Sequence, residues 1–160
     1  MYVYHGSKYN FTIARPSYTT RGTIKNNKVS INYEGVSLHA TPYKWIALSY
    51  IHNRKSFISK GVKKKFSVGV SLFTNDKYIT IYGKKNLEYS LQKLYGNGGY
   101  LYKFDKKNFT SVKGLGPLEV ISYTKQKPLQ KIFIQDPVKE MKKLGVKFTF
   151  VDITKEQEKM

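Results

Sequence analysis

Short runs of aromatic and β-branched residues, each of strand length and each cut off by Gly, Pro or a polar cluster, recur along this chain. Met1–His5, Val29–Tyr33, Val36–Ala40, Phe66–Thr74, Tyr78–Tyr82, Tyr100–Phe104, Leu118–Tyr123, Lys131–Ile134 and Val146–Val151 have this character. Only Tyr43–Phe57, Leu87–Tyr95 and Pro137–Leu144 read as helices. A chain made mostly of strands with helices segregated among them belongs to the α+β class. No internal repeat, heptad pattern or linker composition divides it, so residues 1–154 are expected to form one domain, with Lys155–Met160 as a loose tail.

The punctuation refines this outline. Pro16, Gly22 and clustered Thr and Asn imply an irregular excursion over Asn10–Lys28, and Gly35 is expected to break the strand that follows. Thr41-Pro42 has the form of a helix start, with Thr41 as N-cap and Pro42 in the first helical position. Phe66–Thr74 and Tyr78–Tyr82 are expected to pair as a hairpin across Asn75-Asp76-Lys77. Gly96-Asn97-Gly98-Gly99 should end the second helix, and Gly145 follows the third.

Charge narrows the partners. Against 29 Lys and Arg stand 10 Asp and Glu, a formal net charge of +19, which attracts polyanions in a salt-dependent way. Only Arg15, Arg21 and Arg54 are arginines, so phosphate attraction is expected rather than bidentate reading of bases. The absence of cysteine excludes disulfides, thiolate nucleophiles and Cys-based zinc sites. His5, His39 and His52 lack zinc-ligand spacing, so no metal is expected. No apolar run spans a bilayer and the N-terminus has no leader pattern, which implies a cytoplasmic protein that does not engage membranes.

Three local patterns carry chemistry. Tyr4-His5-Gly6-Ser7 closes the opening strand. Gly35 to Tyr50 runs through a strand into a helix that ends Ala47-Leu48-Ser49-Tyr50. Gly116-Pro117-Leu118-Glu119-Val120-Ile121-Ser122 places Glu119, the only acid between Asp105 and Asp136, on an otherwise apolar strand. A lone carboxylate there is costly unless it has partners or a function.

In order and spacing these patterns resemble the His-Tyr-Glu class of ADP-ribosyltransferases, which includes the poly(ADP-ribose) polymerases and diphtheria-type toxins. The resemblance covers about residues 1–135. It implies the ADP-ribosyltransferase-like fold, two small mostly antiparallel sheets forming an NAD-binding cleft with a few peripheral helices. It also implies NAD+ as substrate, with His5 orienting the ribose, Gly6 holding the nicotinamide amide, Ser7 adding a ribose contact and Tyr50 stacking on the nicotinamide. Glu119 would stabilise the oxocarbenium-like transition state as nicotinamide leaves. At the position of the family's strand tyrosine stand Ser37 and Leu38 with His39 beside them, so Leu38 and His39 join the expected NAD contacts.

The expected activity is therefore transfer of ADP-ribose to an acceptor, nucleic acid first and protein second. Pro117, two residues before Glu119, differs from the Gln or Glu of the arginine-modifying class, which argues against an arginine acceptor. Two alternatives remain: a degenerate module that binds a nucleotide or nucleic acid without turnover, and an NAD-dependent RNA 2'-phosphotransferase. A serine triad cannot be assembled convincingly.

Overall fold

The computed structural model describes residues 1–25, 28–52, 58–59, 62–63, 67–70 and 76–153. In chain order the elements are β1 (Tyr2–Ser7), β2 (Ser17–Lys25), β3 (Lys28–Ala40), α1 (Lys44–Ser49), β4 (Ile58–Ser59), β5 (Val62–Lys63), β6 (Ser67–Val70) and β7 (Tyr78–Gly83). They continue with α2 (Leu87–Tyr95), β8 (Gly99–Asp105), a 3-10 turn (Lys106–Asn108), β9 (Val120–Ser122), β10 (Gln130–Ile134), α3 (Pro137–Lys143) and β11 (Lys147–Asp152). The class is α+β.

Among the described residues the strands form three small sheets. One has the order β1-β8-β10 and is antiparallel, with His5 opposite Tyr102 and Gly6 opposite Leu101. A second has the order β2-β3-β5-β4, with β9 pairing the end of β3 at Leu38–Ala40. The third is mixed: β6 and β7 run antiparallel, whereas β11 lies parallel to β7. The expected hairpin partners do pair, with Ser67 opposite Tyr82 and Val70 opposite Ile79; Asn75 and the end of the first run lie outside the described residues.

Two expectations fail near the site. The supposed irregular excursion contains β2, which pairs with β3 from Ser17↔Ser37 to Lys25↔Lys28. Its Thr and Tyr residues are good strand formers, and a partner strand outweighs the turn-forming Gly22. The break expected at Gly35 is absent: β3 passes through it. The irregularity falls instead at Asn32, the extra residue between the pairs Arg21↔Tyr33 and Gly22↔Ile31.

The helix expected over Tyr43–Phe57 is shorter. Helix α1 begins after Tyr43, and Thr41 Oγ1 accepts from the Tyr43 N–H at 3.1 Å, forming a turn ahead of the helix rather than its cap. The helix ends at Tyr50, and Asn53–Phe57 lie outside the described residues, as does the tail Lys155–Met160. Helix α2 matches its expected span, with Asn86 Oδ1 capping the Tyr89 N–H at 2.8 Å and Gly98 turning at φ 66°. Helix α3 starts with Asp136 capping the Lys139 N–H at 3.0 Å and Pro137 in the first turn.

Among the described residues, two apolar clusters hold these layers. The larger packs Trp45, Ile46, Leu48 and Ile51 against Ile79, Ile81, Leu94 and Met141. The smaller packs Val3, Leu38, Tyr102, Phe104 and Val120 between the first two sheets. At roughly 25 cal/mol per Å² of apolar surface, each fully buried Ile or Leu adds about 2 kcal/mol before entropy is counted. The first two sheets are joined where the Tyr4 N–H donates to the Thr41 carbonyl at 2.7 Å and the Thr41 N–H to the Tyr4 carbonyl at 2.8 Å. No helix among the described residues is long and apolar enough to cross a membrane.

Candidate functional site

The seam between β1 and the end of β3 opens into a cavity of about 490 Å³ lined by His5, Gly6, Ser7, His39, Tyr50 and Glu119, together with Arg21. That volume lies within the usual range for small-molecule sites. Six of the seven residues expected at the site from the sequence thus meet in one chamber, from four separate segments of the chain. Leu38 does not: its side chain points into the smaller apolar cluster and forms part of the wall of a second chamber, of about 460 Å³. The two chambers share His5, Ser7, Tyr9, Arg21 and His39 as common wall.

Strand alternation explains the split. Ser37 and His39 face one way along β3, and Leu38 faces the other, into the core. Glu119 lies one residue before β9 rather than within it, and its backbone is carried into place by the pairing of Val120 with Ala40 and Ile121 with His39.

Glu119 is 8% exposed and ionised. Burial alone pushes its carboxyl up; the His39 contact and the Arg21 charge more than offset this and hold it below the ordinary carboxylate range. Arg21 Nε lies 2.9 Å from Oε1 and 3.1 Å from Oε2, one N–H shared by both oxygens, while its NH1 donates to the Thr20 carbonyl at 3.1 Å. His39 Nδ1 lies 3.3 Å from Glu119 Oε1, longer than an ideal hydrogen bond, and its Nε2 lies 3.1 Å from Ser37 Oγ.

His5 Nδ1 donates to the His39 carbonyl at 2.6 Å, which fixes its tautomer. Burial lowers the His5 pKa below 6.5, with the Arg21 charge acting in the same direction against the hydrogen bond to the His39 backbone. The ring is therefore neutral near pH 7, and Nε2 carries a lone pair that can accept a hydroxyl proton.

Gly6 has a structural demand of its own. A Cβ there would stand 1.9 Å from the Ala47 carbonyl oxygen, so only glycine lets α1 approach β1 closely enough to present Tyr50. Ser7 Oγ accepts from the Tyr9 N–H at 3.1 Å and shapes the loop that follows. Tyr50 packs against the larger core, and its phenol is pushed up to about 12 by burial and the Glu119 charge, against the opposing effect of Arg21. The Arg21 guanidinium sits 5.4 Å from the centroid of its ring.

Arg21 is the site residue that sequence reading missed, because its segment reads as irregular. A signal existed: in a lysine-rich chain with three arginines, arginine is the residue kept where a planar group must meet a carboxylate. Among the described residues, no group of three or more His, Asp or Glu is placed to hold a metal ion. No family model, curated protein or solved structure matches this chain.

Proposed function

We propose that the chain has an ADP-ribosyltransferase-like fold, binds NAD+ in the first chamber and transfers its ADP-ribose to an acceptor. One observation carries this reading: His5, Gly6, Ser7, Tyr50 and Glu119, chosen from short patterns far apart in sequence, line one cavity of about 490 Å³. The chemistry is consistent. The bond between nicotinamide nitrogen and ribose C1'' breaks with its electron pair leaving on nicotinamide. The buried carboxylate of Glu119, held ionised by Arg21 and His39, stabilises the positive charge that develops on the ribose. Neutral His5 supplies a hydroxyl acceptor, and Tyr50 an aromatic face. The acceptor nucleophile then bonds to C1'' and loses its proton.

The net charge of +19 favours a nucleic acid acceptor over a protein, drawn in by phosphate and weakened by salt. A second reading has its own support. Arg21 already occupies both the carboxylate of Glu119 and a face of Tyr50, as expected of a module that holds a nucleotide without cleaving it.

Nicotinamide release from NAD+ by the wild type and Glu119→Gln, with single-stranded DNA, RNA or protein added at two salt concentrations, separates these. Release that disappears in Glu119→Gln establishes enzymatic NAD+ cleavage by Glu119, and an additive that accelerates it identifies the acceptor class. Retention of NAD+ without release selects the binding module. Release by both proteins alike would falsify the role given to Glu119.

A further inference from the structure

His39 is the partition between the two chambers, and its two ring nitrogens face different partners. Glu119 lines the first chamber and lies on the Nδ1 side; Ser37 lines the second and lies on the Nε2 side. Carboxylate, imidazole Nδ1, imidazole Nε2 and serine Oγ stand in the sequence that activates serine nucleophiles. Their separations of 3.3 and 3.1 Å are those of a relay before substrate arrives. Ser37 and His39 share one face of β3 because they are two residues apart, and Glu119 reaches them through the β3–β9 pairing.

The direction of the protons follows from electrostatics. In the neutral ring a lone pair on Nδ1 would be repelled by the ionised Glu119, so the tautomer with hydrogen on Nδ1 is favoured and its Nε2 is left to accept from the Ser37 hydroxyl. The Tyr33 hydroxyl, 2.9 Å from Ser37 Oγ, is then the donor to that oxygen. Both hydrogen bonds point one way, from Tyr33 through Ser37 to His39, whose buried Nδ1 lies 3.3 Å from Glu119 Oε1 without a formed hydrogen bond.

We propose that Ser37, His39 and Glu119 form an acyl-transfer triad opening on the second chamber, with esters bearing an anionic group as its substrates. Ser37 Oγ bonds to the carbonyl carbon while its proton passes to His39 Nε2. The C–O bond to the alcohol then breaks, and His39 returns the proton to the leaving oxygen. Water, deprotonated by the same nitrogen, then bonds to the acyl carbon, the bond to Ser37 Oγ breaks to release the acid, and His39 returns the proton to Oγ. Phe11, Ile13 and Leu38 give the chamber an apolar wall for the acyl chain, and exposed Arg15 provides a cation for the anionic end. This activity does not rest on NAD+ cleavage, although both readings use Glu119.

A fluorophosphonate probe tests the nucleophile on the full-length chain. Oγ bonds to phosphorus, fluoride leaves and His39 takes the proton. Wild type is expected to be labelled at Ser37, as mapped by peptide mass spectrometry, and labelling should stop when the chain is unfolded in urea. His39→Gln should label at least about a hundredfold more slowly. No label on Ser37 in folded wild type, or equal labelling of folded and unfolded chain, overturns the triad without any variant having to fold. For the substrate class, 4-nitrophenyl hemisuccinate should turn over roughly tenfold faster than the butyrate ester, the scale of one charge-assisted hydrogen bond. Arg15→Gln should remove that preference, and equal rates for the two esters overturn the anionic class. Nicotinamide release is read separately, so failure of either activity leaves the other standing.

Discussion

Arg21 and Glu119 lie 98 residues apart in sequence, yet the guanidinium Nε of one sits 2.9 and 3.1 Å from the two carboxylate oxygens of the other. The pair ties β2 to the segment entering β9. With His39, it holds charged a carboxylate whose pKa burial alone pushes up.

Removal of the arginine should therefore cost more than removal of a surface charge. Arg21→Ala leaves Glu119 buried with His39 as its remaining partner, and a loss of about 1–3 kcal/mol is expected, reduced by the partial exposure of Arg21. Urea unfolding at pH 7 measures it. The double variant Arg21→Ala/Glu119→Gln should recover part of the loss, and strict additivity would show that the two side chains do not interact.

Gly6→Ala is expected to destabilise by about 1–3 kcal/mol, because the new Cβ would meet the Ala47 carbonyl at 1.9 Å and backbone must move. The shift should be transmitted through α1 to Tyr50, so ligand affinity falls together with Tm. A variant with unchanged Tm would mean that α1 yields freely.

Stability should fall on acidification in two stages. The folded pKa of His5 is depressed, so its contribution is complete above 6.5 and is lost as pH falls from there through the folded value. Glu119 is also depressed, and its contribution is lost below 4.5. Tyr50 acts at the other end: its folded pKa is raised, so stability is lost as pH rises from 10 towards about 12. Denaturation between pH 7 and 5 should show a shallower slope in His5→Gln, and an unchanged slope would place the first stage elsewhere.

Tyr102→Phe should loosen the loop that walls the second chamber. The Tyr102 hydroxyl donates to the Tyr9 carbonyl at 2.7 Å and accepts from the Phe11 N–H at 2.9 Å, and its ring stacks on Phe11 with centroids 4.0 Å apart. Loss of both hydrogen bonds should cost about 1–2 kcal/mol. Faster exchange of the Phe11 amide proton with solvent is the local readout, and unchanged protection would show that stacking alone holds the loop.

The elements that sequence reading located are those whose pattern is local: β7 alternates buried with more exposed positions, and α2 and α3 carry their own caps at Asn86 and Asp136. Strand β2 was not legible because its Thr, Ser and Gly residues become a strand only with β3 beside them, and Gly35 was read as a break although pairing on both sides carries β3 through it. The site was legible where chemistry is carried by rare residues, as with His5 and the isolated acid Glu119. Arg21, and the alignment of Ser37 with His39, were not.

By itself the sequence determined the α+β class, the helical spans with their own caps, the cationic balance and the residue types available for chemistry, because these depend on composition and on contacts between near neighbours. Only the tertiary structure decided that Arg21 meets Glu119, that Leu38 turns into the core while His39 turns to the cavity, and that Gly6 must lack a side chain. Those outcomes depend on which distant strands pair and in which register, and a shift of one residue in β3 would turn His39 away from the site and Leu38 towards it.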